Sequence, residues 1–538
     1  MSWNYGDIFE GIADVLPEDA PALIHHDRVI SWKAFDERTN RLARTLLNHG
    51  LCLQDKVGFY IRNHSAYMET LAACFKARLV HVNVNYRYVE DELWYILDNS
   101  DSRAVIFDAD FRDQVAHLMP RLPDVVLWMQ LGDEDNLLPG AVSYERLATE
   151  GDSSRLAVER SGSDMLFLYT GGTTGMPKGV MWEQENHWMA GARGATPATN
   201  MIAPETLEAH LANVARAEAG RVSFPVCPQM HGTGLFTSIG ALAGGGCVVT
   251  TDSPRFDPEE TWEIVERNRV TSMAIVGDAF GKPLLKVLDD APGRFDISSV
   301  VSIISSGVMW SPETKQGLLR HHQGLALIDS FGASEAIGFG TSTTTADGGQ
   351  AVARFVLNER TRVFTEDHQE VVPGSGVPGF VAKTGGIPSG YYKDPEKSAR
   401  TFPVINGVRY SIPGDWCTVE EDGTLTLLGR GSVCINTAGE KVYPEEVEEV
   451  LKLHETVDDV LVVGVPDDKW GQAVTAVVQL VSGCDLDEPA LQAHVRQSLA
   501  GYKSPKRILQ IDNLGRASNG KADYKGITAF ACKALGLE

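Results

Sequence analysis

The stretch that decides the fold is Leu168-Tyr169-Thr170-Gly171-Gly172-Thr173-Thr174-Gly175-Met176-Pro177-Lys178-Gly179. Its glycines, threonines and lysine directly follow the apolar residues 165–169, whose pattern predicts a buried strand. Glycines let backbone N–H groups converge on an anion, and hydroxyl and ammonium groups add charge-assisted contacts. The stretch therefore predicts a phosphate-binding loop after a strand. A flexible linker is the alternative, although a linker rarely follows a buried strand.

The spacing of this loop differs from that of a Walker A motif. A Walker A motif places Gly, Lys and Ser or Thr next to one another at the start of a helix. Here Pro177 precedes Lys178 and Gly179 follows it, so we expect no helix to begin at this point. The loop predicts a phosphate site of a different kind.

Length and charge limit the classes of protein. The chain has 538 residues, too many for one ordinary domain, with 43% hydrophobic and 22% charged residues, as is typical of globular proteins. A net charge of −24 argues against general binding of nucleic acid or anionic membranes. An anionic nucleotide would therefore need a local positive site, which the loop would supply.

Cysteine usage and the N-terminus bear on the compartment. The eight cysteines form no CxxC pair, so we expect neither a zinc site nor a disulfide framework, and reduced thiols favour the cytoplasm. Residues 1–7 show no basic segment followed by an apolar one, so we expect no signal peptide. Residues 235–250 are interrupted by glycines and too few to span a bilayer, so we expect no integral membrane segment.

Helical and strand patterns alternate along most of the chain, which predicts an α/β fold with parallel-rich sheets. The predicted helices cover residues 35–49, 67–77, 90–99, 262–267 and 312–321. The predicted strands cover residues 56–61, 79–82, 104–107, 272–276, 300–305 and 326–329. Residues 186–222, which lie between the earlier and the later of these elements, carry a helical pattern at 206–217. They predict a helical insertion or lid, with a surface excursion as the alternative.

After about residue 350 the sequence becomes rich in Gly and Pro and contains short β-like runs, the last at 424–428. A small α+β unit follows, with predicted helices at 445–454 and 488–499 and strands at 459–465 and 473–480. We place a boundary at residues 429–432. This predicts a large N-terminal domain of several subdomains, residues 1–430, and a small C-terminal α+β domain, residues 431–538.

Two acidic residues follow strand or turn patterns. Glu335 ends the run Phe331-Gly332-Ala333-Ser334-Glu335, after a strand predicted to end at Asp329, and a carboxylate there suits Mg²⁺ on phosphate oxygens. An acidic helix N-terminus is the alternative. Asp415 follows a Pro-Gly turn, where a carboxylate can accept from both ribose hydroxyls and Arg430 can fix its geometry. The alternative for Asp415 is an Asx turn, and the alternative for Arg430 is a surface ion pair.

Two further residues carry weaker signals. Lys521 lies in a polar loop near the C-terminus, and its compact charge suits a developing negative charge, with an exposed tail lysine as the alternative. His231 lies between apolar segments and could line a pocket, although a buried core histidine is the commoner outcome.

Taken in order, these motifs resemble the adenylate-forming superfamily of acyl-CoA synthetases, nonribosomal adenylation domains and firefly-type luciferases, over about residues 31–525. The resemblance implies an AMP-binding N-terminal domain, a mobile C-terminal domain, and ATP, Mg²⁺ and CoA as cofactors or co-substrate. It assigns the ATP phosphates to Thr170, Gly171, Gly172, Thr173, Thr174, Gly175 and Lys178. It assigns adenine and the α-phosphate to Gly307, Val308, Met309, Asp329, Ser330, Phe331, Gly332, Ala333 and Ser334.

The same resemblance implies the remaining roles. Asp415 and Arg430 would bind ribose, and Gly439 and Lys441 would border the pantetheine tunnel. Glu335 would bind Mg²⁺, and Lys521 would bridge the substrate carboxylate and the α-phosphate. Thr174 and His231 join these two as catalytic residues, with His231 as a gate beside the acyl group, and Ser432 is the interdomain hinge.

Four positions depart from the family pattern without removing a catalytic group. Gly172 and Ser334 stand where Ser and Thr are commoner, Ser432 replaces Asp or Lys at the hinge, and Gly515 replaces a Pro. The loss of one hydroxyl at Gly172 keeps the backbone cradle, whereas Ser432 leaves the energetics of the hinge open.

The resemblance implies a two-step ligase for a carboxylic acid, through acyl-AMP to a thioester. Small residues in the expected acyl pocket leave room for a bulky ring system: Gly232, Gly277, Ala279 and Gly338. Residues 276–283 and 433–442 are similar to actinobacterial-type synthetases for sterol or bile-acid side chains. The expected substrate is therefore a sterol side chain, a bile acid or a long-chain fatty acid.

Other functions remain open at this point. Within the superfamily, the enzyme could load a carrier-protein phosphopantetheine, and a luciferase-like oxygenase is a rarer specialisation. A non-catalytic nucleotide sensor is disfavoured because Lys178, Glu335, Asp415, Arg430 and Lys521 are all present. We expect a small-molecule acid as partner and no nucleic acid, and a homodimer remains open.

Overall fold

A computed structural model provides the fold of the chain. It describes all residues except 1–2, 89, 171–176, 193–203, 218–220, 308–309, 350–353, 431–434, 438–439, 443, 468–469, 500, 517–521 and 538, and describes only the backbone at 192, 349, 429–430, 436, 440–441 and 471. The chain divides into two compact units. Unit 1 comprises Met1–Gly338, Thr343–Gly349 and Thr384–Ser411, and unit 2 comprises Phe339–Ser342, Gln350–Lys383 and Ile412–Glu538.

Eight of the sixteen α-helices of the described residues follow predicted periodic segments, and several begin at a side-chain cap, such as Ser31 before α2 and Ser311 before α12. In chain order they are α1 Tyr5–Val15, α2 Trp32–Asn48, α3 Ser65–Lys76, α4 Glu90–Asn99, α5 Arg112–Leu118, α6 Tyr144–Thr149, α7 Gln184–His187, α8 Leu207–Arg216, α9 Gly232–Ala243, α10 Pro258–Asn268, α11 Asp278–Asp290, α12 Pro312–His321, α13 Pro395–Thr401, α14 Pro444–Lys452, α15 Glu488–Ser498 and α16 Tyr524–Ala534. No helix among the described residues combines the length and apolar character needed to cross a membrane.

The strands of the described residues are short and, in the first half, alternate with these helices. In chain order they are β1 Pro21–His25, β2 Arg28–Ser31, β3 Lys56–Tyr60, β4 Val80–Asn83, β5 Ser102–Asp108, β6 Leu127–Leu131, β7 Ala141–Ser143, β8 Met165–Thr170, β9 Lys178–Glu183, β10 Val222–Pro225, β11 Cys247–Thr250, β12 Ser272–Ile275, β13 Ser302–Ser306, β14 Ala326–Ala333, β15 Ala336–Thr345, β16 Gly348–Gly349, β17 Arg354–Leu357, β18 Thr361–Phe364, β19 Gly379–Thr384, β20 Gly390–Tyr391, β21 Val404–Ile405, β22 Val408–Ser411, β23 Asp415–Val419, β24 Thr424–Arg430, β25 Ile435–Thr437, β26 Glu440–Val442, β27 Val457–Asp467, β28 Gly471–Leu480 and β29 Arg507–Gln510.

Unit 1 contains two largely parallel sheets, as the alternating pattern predicted. The first has the strand order β20-β9-β8-β4-β3-β5-β6-β7, in which β8, β9 and β20 pair antiparallel and the other neighbours pair parallel. The second has the order β2-β1-β11-β10-β12-β13-β14, with only the β1–β2 pair antiparallel. Parallel sheets are covered on both faces, and helix α3 is accordingly buried along its whole length.

Unit 2 contains an antiparallel set and a small mixed sheet. Strands β15, β17, β24, β23, β19 and β18 pair antiparallel in that sequence. The mixed sheet has the order β26-β25-β28-β27, with β29 parallel to β28, and helices α14 and α16 pack against β27. These elements confirm the α/β class and the C-terminal α+β unit. The domain boundary between residues 430 and 431 stays a prediction.

Two local expectations differ from the structure. Strand β14 does not end at Asp329 but continues to Ala333, because the residues beyond Asp329 stay extended up to the turn before β15. The described parts of the 186–222 segment are not a surface excursion, because Trp188 stacks on Trp3 at 4.7 Å and His210 is only 3% exposed. Nε2 of His210 lies 2.7 Å from the carbonyl oxygen of Ala243, the last residue of α9.

Candidate active site

The predicted phosphate loop connects two strands of a β-hairpin. Strands β8 and β9 pair antiparallel, and Thr170 lies opposite Lys178 at the end of the ladder next to the loop. No helix begins after the loop, as the Pro177-Lys178-Gly179 spacing predicted, since Lys178 is the first residue of β9. Five of the seven predicted phosphate contacts, Gly171, Gly172, Thr173, Thr174 and Gly175, lie outside the described residues.

Lys178 forms an ion pair with the carboxylate of Asp394. Asp394 also caps helix α13, where it accepts from the backbone N–H of Lys397 at 2.9 Å. The hydrogen bond from Lys178 holds the pKa of Asp394 below its usual value. The side chain of Lys178 as a whole is 35% exposed.

The buried amide of Asn83 joins the strand before the loop to the segment before His231. Its Oδ1 accepts from the backbone N–H of Tyr169 at 2.6 Å. Its Nδ2 donates to the carbonyls of Tyr169 at 2.9 Å and Met230 at 2.7 Å. Because one side chain satisfies three backbone groups, the two segments are held in a defined relative position.

His231 immediately precedes helix α9 and is half-buried, so it is not the fully buried core histidine that we considered as the alternative. Its segment is held by Asn63, which donates to the carbonyls of Pro225 and Cys227 at 3.2 Å each and accepts from the N–H of Gln229 at 2.7 Å. The next residue, Gly232, keeps α9 close to β8. An added Cβ there would lie 3.3 Å from Leu168 Cδ2.

Glu335 lies in the turn between β14 and β15, so the alternative of an acidic helix N-terminus is wrong. The phenol of Tyr391 donates to its Oε1 at 2.6 Å. The hydroxyl of Ser411 donates to its backbone carbonyl at 2.7 Å. The indole of Trp182 donates to the preceding carbonyl, that of Ser334, at 3.0 Å. The turn is therefore held at three points.

The hairpin and the Glu335 turn are connected through the first sheet. Tyr391 belongs to β20, which pairs with β9 so that Tyr391 lies opposite Val180. The strand that begins with Lys178 thus also positions the phenol that contacts Glu335. This pairing brings the predicted phosphate lysine and the predicted Mg²⁺ ligand into one hydrogen-bonded framework.

Asp329 lies within β14 and forms an ion pair with Lys315 of α12, with both side chains only 6% exposed. The ammonium of Lys315 also lies 5.7 Å from the ring centroid of Trp310. The Asp329 carboxylate therefore balances a buried lysine beside the predicted nucleotide segment. The rest of that segment, Ser330, Phe331, Gly332, Ala333 and Ser334, continues along or just beyond the same strand.

Gly307 follows β13 with a φ of +92°, a conformation that favours glycine. Val308 and Met309, the other predicted adenine contacts of this turn, lie outside the described residues.

The predicted acyl-pocket residues around Gly277 are tied to the Trp310 segment. Gly277, with a φ of +54°, donates its N–H to Ser305 Oγ at 2.8 Å. Asp278 accepts from the N–H and hydroxyl of Ser311 at 3.2 and 3.1 Å, which joins the beginnings of α11 and α12. At Gly338 an added Cβ would meet no atom within 4 Å, so there is open space beside this glycine.

In unit 2, the two predicted ribose-binding positions face each other. Asp415 and Arg430 are direct partners across the β23–β24 ladder, and the side chain of Asp415 is buried. The backbone of Lys441 lies opposite Asn436 in the β25–β26 pair. Gly439, Ser432 and Lys521 lie outside the described residues.

Comparison with known proteins decides the family. The family described as AMP-binding enzyme matches residues 9–392, and the AMP-binding enzyme C-terminal domain matches residues 446–521. The chain belongs to the AMP-binding enzymes. It is 40% identical over 536 residues to a 3-oxocholest-4-en-26-oate–CoA ligase of Rhodococcus rhodochrous, covering 98% of this chain and 95% of that protein.

Two further comparisons place this AMP-binding enzyme. It is 41% identical over 531 residues to a medium/long-chain-fatty-acid–CoA/3-oxocholest-4-en-26-oate–CoA ligase of Mycobacterium tuberculosis (strain ATCC 25618 / H37Rv), covering 98% of this chain and 95% of the relative. Its fold matches the ATP-bound MatB of Rhodopseudomonas palustris with a TM-score of 0.81, at 24% identity and full coverage of both chains.

Sequence analysis of this AMP-binding enzyme missed the residues that hold its predicted site in place. Asn83, Tyr391 and Asp394 each contact a predicted site residue or its segment. Asn83 carried one signal, since it is a polar residue at the end of the short buried strand β4. Tyr391 and Asp394 carried none, because their partners are 56 and 216 residues away in sequence.

Proposed function

We propose that this enzyme is an ATP-dependent acyl-CoA synthetase that converts a sterol side-chain acid, a bile acid or a long-chain fatty acid into its CoA thioester through an acyl-AMP. One observation carries the proposal: the likeness at about 40% identity, along nearly the whole chain, to ligases named for 3-oxocholest-4-en-26-oate and for medium- and long-chain fatty acids. We further propose that it acts in the cytoplasm.

In the first step, a carboxylate oxygen of the substrate bonds to the α-phosphorus of ATP and the bond from that phosphorus to the bridging oxygen breaks. Pyrophosphate leaves and acyl-AMP forms. Two anions must approach each other, so positive groups have to offset their repulsion. We assign this role to Lys521 at the α-phosphate and to Lys178, with Thr170 and the loop residues, at the β- and γ-phosphates.

The residues around Glu335 fit Mg²⁺. A hard cation prefers oxygen ligands, and the carboxylate of Glu335 is oriented by the phenol of Tyr391 at 2.6 Å. Bound there, Mg²⁺ would neutralise charge on the phosphate oxygens. Glu335 itself holds the ligand position, while Tyr391 and Ser411 keep its side chain and backbone in place.

In the second step, the sulfur of CoA bonds to the acyl carbon and AMP leaves with the electron pair of the broken C–O bond. We propose that the C-terminal domain turns at Ser432 between the two steps, which takes Lys521 away and brings the Gly439 and Lys441 segment to the acyl-AMP. Asp415 and Arg430 would hold the ribose in both steps.

The proposed substrate class agrees with the small residues of the expected pocket. The open space beside Gly338 supports a pocket with volume for rings or a long chain. We place His231, which precedes α9, at the entrance to this space.

Pyrophosphate release tests the proposal. Purified enzyme is incubated with MgATP and a panel of acids: 3-oxocholest-4-en-26-oate, a bile acid, a long-chain and a medium-chain fatty acid, and acetate as the short control. We expect release with the bulky or long acids and conversion to the thioester when CoA is added. No release with any acid would overturn the ligase assignment. Release without a CoA thioester, but with acylation of a phosphopantetheine carrier protein, would favour carrier loading.

A further inference from the structure

Three side chains of types that bind metals meet where strands β1 and β11 of the second sheet of unit 1 end, and none of them has a role assigned above. Strand β1 ends at His25, and the parallel strand β11 ends at Thr250, which is its direct partner. The turn after β1 provides His26, and the segment after β11 provides Asp252. One ligand atom from each of His25, His26 and Asp252 lies within 4.8 Å of the others.

The two histidines approach the same carboxylate. His26 Nε2 lies 2.8 Å from Asp252 Oδ1, and His25 Nε2 lies 3.8 Å from Asp252 Oδ2. Three potential ligands, two imidazoles and one anion, therefore converge from two strands.

The contact between His25 and Thr250 orients the other ring nitrogen of His25, Nε2, toward Asp252. Its Nδ1 lies 3.0 Å from the hydroxyl of Thr250, which itself donates to the carbonyl of Ile24 at 3.4 Å. The Thr250 hydroxyl thus holds the Nδ1 side of the ring, which leaves Nε2 as the ligand atom on the side of Asp252. A hydrogen-bonding partner on the second ring nitrogen is the usual support of a metal-binding histidine.

His64 packs against His25 without being a ligand itself. The two ring centroids lie 3.8 Å apart. Nδ1 of His64 accepts from the N–H of Ala66 at 2.9 Å, so its proton is on Nε2. The ring of His64 fixes the ring of His25 from the protein side.

The solvent side of the cluster has room for adjustment and for water. The side chains of His26 and Asp252 are 47% and 49% exposed. Metal–nitrogen bonds of about 2.0–2.1 Å require the ligand atoms to rearrange around the ion, and these two exposed side chains can move to do so. Arg28, which follows in the same hairpin, is bound by both oxygens of Glu145 at 2.7 and 3.1 Å, which offsets its charge.

We propose that His25, His26 and Asp252 form a binding site for a divalent transition metal, Zn²⁺ or a close analogue such as Co²⁺ or Ni²⁺, with water completing its coordination. Imidazole nitrogens select these ions over Mg²⁺, which prefers oxygen ligands. The site thus differs in its ligands and chemistry from the Mg²⁺ proposed at Glu335, and it does not depend on the proposed ligase activity.

Metal titration of the full-length, chelator-treated enzyme tests the proposal. We expect isothermal titration with ZnCl₂ to show one saturable site per chain, and CoCl₂ to produce visible ligand-field absorption with the same stoichiometry. His26→Ala and Asp252→Asn should each weaken Zn²⁺ binding by at least about 10-fold. Asp27→Asn removes a neighbouring, almost fully exposed carboxylate of the same turn and should leave the affinity unchanged.

Folding of each variant is checked by its thermal unfolding without metal, which should match that of the parent enzyme because both substituted side chains are half-exposed. With saturating Zn²⁺ the parent should unfold at a higher temperature and Asp252→Asn should not. The proposal is overturned if no saturable site is found, or if Zn²⁺ binding survives in both His26→Ala and Asp252→Asn with parental affinity.

Discussion

The phenol of Tyr391 donates a 2.6 Å hydrogen bond to Oε1 of Glu335, and Tyr391 is held there by its pairing with Val180 of β9. The strand that begins at Lys178 therefore also sets the orientation of the carboxylate that we assign to Mg²⁺. A change in this phenol should act on the metal without touching the phosphate loop.

Tyr391→Phe should raise the Mg²⁺ concentration that gives half-maximal pyrophosphate release by about 10-fold. Without the hydrogen bond from the Tyr391 phenol, the Glu335 carboxylate is less well oriented for the metal. The measurement is the Mg²⁺ dependence of the rate at saturating acid. Tyr392→Phe is the matched control, since that phenol binds Asp101 at 2.6 Å. An unchanged Mg²⁺ dependence in Tyr391→Phe would contradict the role of the phenol.

Lys178→Gln should lower kcat/KM for ATP by about 10- to 100-fold, because a hydrogen bond to a charged group contributes about 1.5–3 kcal/mol. Asp394→Asn should act in the opposite direction on ATP binding. It removes the competing charge from Lys178, and Asn still caps helix α13, so KM for ATP should fall. Initial rates over a range of MgATP concentrations give kcat and KM for each of the two variants. A rise in KM for Asp394→Asn would instead mean that the ion pair positions Lys178.

Asn83→Ala should destabilise unit 1 by about 2 kcal/mol or more, because it leaves backbone groups of Tyr169 and Met230 buried without their partner. It should also raise KM for ATP, since the strand before the phosphate loop loses its anchor. Thermal unfolding and ATP kinetics measure the two effects. Asn85→Ala, which removes an exposed contact to the N–H of Arg87, is the control and should change neither.

Lys521→Ala should nearly abolish formation of acyl-AMP while sparing thioester formation from supplied acyl-AMP, because its charge is needed only when two anions approach each other. Pyrophosphate release measures the first reaction, and thioester yield measures the second. Lys525→Ala, an exposed lysine on α16, serves as the control. Equal loss of both half-reactions in Lys521→Ala would rule out the assigned role.

Glu448 makes the stability of unit 2 depend on pH. Burial raises the pKa of Glu448 to about 7 from its ordinary value of 4.5, and Tyr524 and the N–H of Val462 donate to its carboxylate at 3.0 and 2.8 Å. Because the folded-state pKa is raised, the favourable contribution of the protonated form is complete below about pH 4.5. It is lost as the pH rises through about 7.

Glu448→Gln should therefore raise the free energy of unfolding at pH 8 relative to the parent, by at most about 3 kcal/mol, and should have little effect at pH 4.5. Thermal unfolding at the two pH values measures the difference. Glu449→Gln changes the adjacent, partly exposed carboxylate, which pairs with Lys452 at 3.4 Å, and should not produce this pH dependence. A parallel shift at both pH values would contradict the explanation.

Local patterns predicted about half of the helices and about a third of the strands of the described residues. Residues 165–169 predicted strand β8, and the Pro177-Lys178-Gly179 spacing correctly excluded a helix, because both depend on neighbours in sequence. The strand predicted to end at Asp329 continued to Ala333. Its last residues include a glycine and an alanine, which carry little strand signal and are held extended by their surroundings.

The sequence by itself determined the α/β class, and it predicted the phosphate loop and the candidate ligands, because periodicity and residue chemistry are local. Only the tertiary structure decided that Lys178 pairs with Asp394, that Tyr391 orients Glu335, and that Asn83 joins Tyr169 to Met230. These partners lie 56 to 216 residues apart in sequence. A polar side chain shows its chemistry in the sequence, but which buried group it must satisfy depends on how distant strands pack.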